Sequence, residues 1–210
     1  MKHRQNIRRL ILAAVLFIVM LTSLALPATA FPDTVDHWAG QEISLLSAKG
    51  LIGGYPDGTF RPDQGITRAE FARLLISALN MEDSAWALET SGQLFRDVPL
   101  GHWARVYIQL AWELGVVSGY KDGTFRPDQV VNRAEMVSML LRALKYVGHG
   151  DREVSFTDEL PDWAQESIHL AAQWGLVSGY EDGTFRAHAP VTRAQAAVFL
   201  SRMLAQRGAL

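Results

Sequence analysis

The sequence predicts an all-α fold made of three helix-loop-helix units, and three observations in its 210 residues carry that reading. Nearly the same eleven residues occur three times: "GGYPDGTFRPD" at 53–63, "SGYKDGTFRPD" at 118–128 and "SGYEDGTFRAH" at 178–188. The spacing around them is constant. Trp38, Trp103 and Trp163 each stand 12 residues before Gly50, Gly115 and Gly175; Tyr55, Tyr120 and Tyr180 follow five later, and Thr67, Asn132 and Thr192 a further 12 on. Apolar residues on both sides of this frame recur with the period of a helix. Outside the frame the spacing loosens, with 36 residues from Thr67 to Trp103 and 31 from Asn132 to Trp163. Rigid spacing inside and loose spacing outside mark one supersecondary unit, repeated and joined by linkers. The units are placed at 31–80, 95–146 and 156–210, with polar linkers at 81–94 and 147–155.

Residues 1–30 stand apart from the repeats. Lys2, Arg4, Arg8 and Arg9 precede an apolar run from Leu10 to Leu26, and the segment closes on "PATA" with Ala28 and Ala30 at small-residue positions. This is the layout of a secretory signal peptide cut after Ala30. The competing reading is an uncleaved membrane anchor, for which 17 residues are slightly short of a full span.

Each unit opens with a short helix near its Trp. Ala39, Ile43 and Leu46 share one face, as do Ala104, Ile108, Ala111 and Ala164, Ile168, Ala171. Gly50, Gly115 and Gly175 suit left-handed C-terminal caps. The Asp-Gly pairs at 57–58, 122–123 and 182–183 are tight turns, expected to aim the neighbouring Tyr and the following Arg61, Arg126 or Arg186. The acids of the turn lack the alternation of an EF-hand, so no calcium or other metal site is expected. "TRAE" at 67–70 is a capping box that starts the second helix. Phe71, Leu74, Leu75, Ala78 and Leu79 then form a core-facing stripe, matched by Met136, Met139, Leu140, Ala143, Leu144 and by Ala196, Phe199, Leu200, Met203, Leu204. A two-helix unit cannot bury such a stripe alone, so the three are expected to share one core.

Composition narrows the function. Of 20 Lys+Arg, four lie in the leader, leaving 16 against 22 Asp+Glu, a formal charge of −6. An acidic exported chain is a poor nucleic-acid binder. It has no cysteine, so no disulfide contributes to its stability. The histidines are dispersed, no serine sits in a nucleophile elbow, and the repeated acids are absorbed by turns and caps, so no enzyme and no cofactor is expected.

One feature exceeds the needs of folding. Arg68, Arg133 and Arg193 each occupy the first helical position, where a cation opposes the helix dipole. Either an anion is bound there by the guanidinium together with free helix N–H groups, or the arginine forms an internal ion pair with Asp33, Asp97 or Asp158. Under the first reading Arg68→Ala leaves stability unchanged or slightly raised.

With "FxD" before a Trp, "GYxDGTFRP" and "TRAE" present together three times, the chain resembles the S-layer homology (SLH) family over nearly all of 31–210. The resemblance implies a pseudo-threefold helical bundle with projecting arms. It also implies non-covalent anchoring of a secreted protein to the bacterial cell wall or S-layer. The implied partner is secondary cell-wall polysaccharide attached to peptidoglycan, bound in grooves between units and recognised in many members through a pyruvate ketal on N-acetylmannosamine. Other S-layer or envelope proteins are further partners, and a recruiting role without glycan binding is the alternative. No nucleic acid and, after signal cleavage, no membrane is involved. The family places carbohydrate contact on Arg68, Arg133 and Arg193; Trp38, Trp103, Trp163, Tyr55, Tyr120 and Tyr180 can offer flat faces to a sugar. For each Trp, burial in the core is the competing role. The third unit departs from the pattern, with Gln195 for Glu and "RAH" for "RPD", so Arg193 is expected to be the weakest of the three contacts.

Overall fold

A computed structural model describes residues 31–88, 92–145 and 153–208. The proposed signal peptide and parts of both linkers lie outside the described residues. The elements are α1 (Gly40–Ala48), α2 (Arg68–Ala78), α3 (Glu82–Ala87), α4 (Arg105–Glu113), α5 (Arg133–Leu144), α6 (Asp162–Gln173) and α7 (Arg193–Gln206). Among the described residues there is no β-strand beyond isolated bridges, so the protein is helical as its periodicity predicts.

Local signals act as read. Thr67, Asn132 and Thr192 each close a capping box with Glu70, Glu135 and Gln195, so the amide at that third position loses no bond for want of charge. Gly115 ends α4 at φ +72°, with Val116 N–H bonding back to Ala111 O at 2.8 Å in the six-to-one pattern of a Schellman ending. Gly50 and Gly175 do the same. The first 81–94 linker residues are more than a surface loop: Glu82 and Asp83 favour a helix start, and α3 packs on α4 through buried Ala85.

How the units associate is the main finding of the fold. The second helices α2, α5 and α7 touch one another pairwise and form the centre. Each then takes as its principal outer partner the first helix of the following repeat: α2 packs along α4, α5 along α6, and α7 returns to α1. The residues just before the three caps close a second ring. Ile66 N–H donates to Val191 O at 2.9 Å, Val191 N–H to Val131 O at 3.0 Å, and Val131 N–H to Ile66 O at 3.0 Å. All three side chains are buried. Their backbone groups have no water to turn to, so each repeat satisfies the polar groups of the next.

The loop between the two helices of a repeat is held by its "FxD" lead-in. Phe31, Phe95 and Phe156 pack on Phe60, Phe125 and Phe185, with centroids 5.4, 5.4 and 5.2 Å apart. Asp97 accepts from the consecutive amides of Phe125 (2.8 Å) and Arg126 (2.7 Å), and Asp33 and Asp158 repeat the arrangement. Successive amides converge because Arg61, Arg126 and Arg186 take φ of 57–59°. Burial pushes the Asp33 and Asp158 carboxyls up, and these amide bonds outweigh it, leaving both below the ordinary carboxylate range. A Cβ on Gly119 would strike the Phe95 ring and the Thr124 carbonyl, which explains the glycine before each tyrosine.

Candidate functional site

Three grooves open between the repeats, and each draws on all three of them. In the first, Arg193 of repeat three meets Tyr55 and Glu70 of repeat one and Trp103 of repeat two, around about 190 Å³. In the second, Arg68 meets Tyr120, Glu135 and Trp163, around about 210 Å³. In the third, Arg133 meets Tyr180, Gln195 and Trp38, around about 170 Å³. The nine residues singled out in the sequence therefore come together, but never within one repeat. The trunk positions the arginine, the next loop supplies the tyrosine, and the repeat after that presents the tryptophan, within its first helix for Trp163 and two residues before it for Trp38 and Trp103.

The arginines differ from both sequence readings. The acids expected as partners, Asp33, Asp97 and Asp158, are spent on loop amides. The helix N–H groups expected to be free are occupied as well. Arg68 and Ala69 N–H donate to Gln129 O and Pro127 O at 2.9 and 3.0 Å, and the Glu70 amide goes to the Thr67 hydroxyl. The other two helix starts are filled in the same way, by Ala189 and Ala187 and by Gln64 and Pro62. The amides of these helix starts are therefore not free to bind an anion.

Each guanidinium reaches into the next repeat instead. Arg68 donates through Nε to Phe125 O (2.9 Å) and through Nη2 to Ser118 O (3.2 Å), and its Nη1 lies 3.3 Å from Glu135. Arg193 bonds Phe60 O and Gly53 O, with Glu70 at 3.7 Å. Arg133 bonds Phe185 O and Ser178 O at 2.9 Å each. Arg68 is 5% exposed and Arg133 3%. Two cross-repeat hydrogen bonds, joined at Arg68 and Arg193 by a glutamate, offset the cost of a cation at a helix start, which is why folding tolerates it there.

The aromatic residues divide by exposure. Trp38, Trp103 and Trp163 are 64%, 51% and 59% exposed, so they line the grooves and do not fill the core. In the first two repeats the preceding histidine fixes the approach: Ala39 and Ala104 N–H donate to His37 and His102 Nδ1 at 3.2 and 3.1 Å. The tyrosines are less open as platforms. Tyr55 carries Arg61 at 3.9 Å from its ring centroid and Arg193 at 4.9 Å, and Tyr120 and Tyr180 are matched by Arg126 with Arg68 and by Arg186 with Arg133.

A second arginine in every groove escaped the sequence analysis. Arg142 and Arg202 stand ten residues after their caps, whereas Arg73 stands six after its own, so aligning the repeats hides them. Charge on the groove-lining turns of the helices was the signal that could have found them.

The Asp-Gly turns carry a pH prediction. Bonds from the Thr124 hydroxyl and amide, and then Arg126, draw the Asp122 carboxyl down to about 2. A depressed folded-state value contributes stability above the unfolded carboxylate value of about 3.9 that is lost as pH falls through the folded one. Melting temperature is expected to hold from neutrality to about pH 4 and fall below it. Asp122→Asn should flatten part of that acid limb, as followed by thermal melts across pH.

The S-layer homology domain family model matches residues 30–72, 94–137 and 155–197, and the chain belongs to that family. It is 36% identical over 173 residues to "Cell surface glycoprotein 1" of Acetivibrio thermocellus, covering 77% of this chain and 7% of that protein. It is 35% identical over 164 residues to the "Cellulosome-anchoring protein" of the same organism, covering 76% of this chain and 36% of that protein. Against "S-layer protein EA1" of Bacillus anthracis the identity is 31% over 205 residues, covering 94% of this chain and 23% of that protein. The chain thus spans well under half the length of these relatives, and other matches bear enzyme names.

Proposed function

We propose that this chain is a non-enzymatic cell-wall anchoring module of an exported envelope or S-layer protein, and that its grooves bind anionic, pyruvylated secondary cell-wall polysaccharide. The observation that carries this reading is the groove itself: an exposed tryptophan and a pair of arginines, with the innermost guanidinium locked by two backbone carbonyls. A flat apolar face beside fixed donors matches a sugar ring bearing a carboxylate. Names of relatives that anchor cellulosomes or form S-layers support the same role. Among the described residues no helix is long and apolar enough to cross a membrane, so attachment through the wall polymer suits the described part. The chain should sediment with purified wall sacculi and stay in solution once hydrofluoric acid has stripped the phosphate-linked polysaccharide. Retention on stripped sacculi would favour the second reading, a recruiter of envelope proteins, to which Trp86 and Leu100, 65% and 62% exposed outside the grooves, are suited.

The tryptophans give a prediction that separates binding from folding. Trp163→Ala should leave the melting temperature nearly unchanged, because the side chain is exposed. Affinity for a soluble wall glycan should fall about two- to tenfold, the worth of one aromatic contact of about 0.5–1.5 kcal/mol. Titration calorimetry and a thermal melt on the same variant read both.

A further inference from the structure

The three grooves are alike in shape and unlike in charge. Around Arg68 and Arg193 the lining holds two arginines and one glutamate: Arg68, Arg142 and Glu135, or Arg193, Arg73 and Glu70. Around Arg133 it holds Arg133, Arg202 and no acid, because the third capping box uses Gln195. The substitution lies in repeat three, yet it acts on the arginine of repeat two.

Burial makes the difference matter. Glu135 Oε1 accepts from the Tyr120 hydroxyl at 2.7 Å and faces Arg68 Nη1 at 3.3 Å, so that groove satisfies its own donors. Gln195 Oε1 is taken by the Thr192 amide at 3.1 Å, and the remaining end of its side chain is a donor. Among the described residues no carboxylate comes within 4.0 Å of Arg133, and the Tyr180 hydroxyl donates to none of them. Burial pushes the Arg133 guanidinium below its ordinary value, the direction expected of a cation short of negative charge. An arginine that is 3% exposed and two further donors thus meet in a groove with no acid of its own.

We propose that the Arg133 groove alone takes the carboxylate of the ligand, and that the Arg68 and Arg193 grooves, where the innermost arginine already faces Glu135 or Glu70, take uncharged sugar. The inference rests on the glycan-binding reading above and assigns its charge recognition to one groove. One chain then holds a modified residue of the polymer at one point and unmodified residues at two others. It moves the effect of the third unit's departure to another arginine: Gln195 strengthens anion binding by Arg133, while Arg193 stands beside Glu70.

The test is calorimetric titration of the chain from Phe31 onward with a pyruvylated N-acetylmannosamine disaccharide and with the same disaccharide after removal of the pyruvate. Gln195→Glu is a mild change, since glutamate closes the same capping box in the other two repeats. It should lower affinity for the pyruvylated sugar about tenfold or more and leave the depyruvylated sugar unaffected. Glu135→Gln should add a second strong site for the pyruvylated sugar. Pyruvylated binding untouched by Gln195→Glu overturns the assignment, and so does an equal loss for both sugars. No heat from the unaltered chain with either sugar overturns glycan binding itself and the assignment with it.

Discussion

Repeat two alone, residues 95–146, should show the circular dichroism of a largely unfolded chain and no cooperative melt. Its helices α4 and α5 have 9 and 12 residues, too short to persist unaided in water. Their chief partners, α2 and α6, belong to the repeats on either side. Excision also removes both of Val131's partners in the ring, Ile66 and Val191, so none of its three hydrogen bonds can form. All three grooves need every repeat, so the fragment should bind no wall glycan either. The chain from Phe31 onward should melt in one cooperative transition. A fragment that melts cooperatively near the temperature of the whole chain would show that the ring of contacts is dispensable.

Arg68→Ala is the point substitution with the largest expected cost, about 3–5 kcal/mol. It removes a buried partner from Glu135 and leaves the carbonyls of Phe125 and Ser118 without their donor. At about 2–4 °C per kcal/mol for a domain of this size, melting should fall by roughly 10 °C. Arg193→Ala should cost less, because its glutamate stands farther off and the pair is more exposed. Lysine at position 68 keeps the charge but not the planar fork, and should recover only part of the loss. A melting temperature that Arg68→Ala leaves unchanged would return the arginine to a purely ligand-binding role. The double variant Arg68→Ala with Glu135→Gln adds a check: removing the stranded acid should restore part of the stability.

Much of the molecule was legible because its signals are local. A capping box needs four residues, a Schellman ending six, and an amphipathic stripe three turns; all three second helices start where those residues say. The Asp-Gly turn lies within the seven residues Tyr55 to Arg61 and was legible for the same reason, whereas the stacking of Arg61 on Tyr55 came from the structure. The role of the "FxD" aspartate was not. Asp33 binds amides 27 and 28 residues away, and a carboxylate beside three conspicuous arginines invites the wrong pairing.

By itself the sequence determined the helical class, the three units, the caps, and one arginine, one tyrosine and one tryptophan of each groove. Only the tertiary structure decided which repeat each residue serves. Identical repeats carry identical local signals, so nothing within one distinguishes packing on its own first helix from packing on its neighbour's. That choice falls to burial, since α2, α5 and α7 can bury a stripe against one another and still cover a flank with the next unit only when the ring closes. Closing it hands Arg133 to Gln195 and Trp38, one of them 62 residues ahead and the other 95 behind.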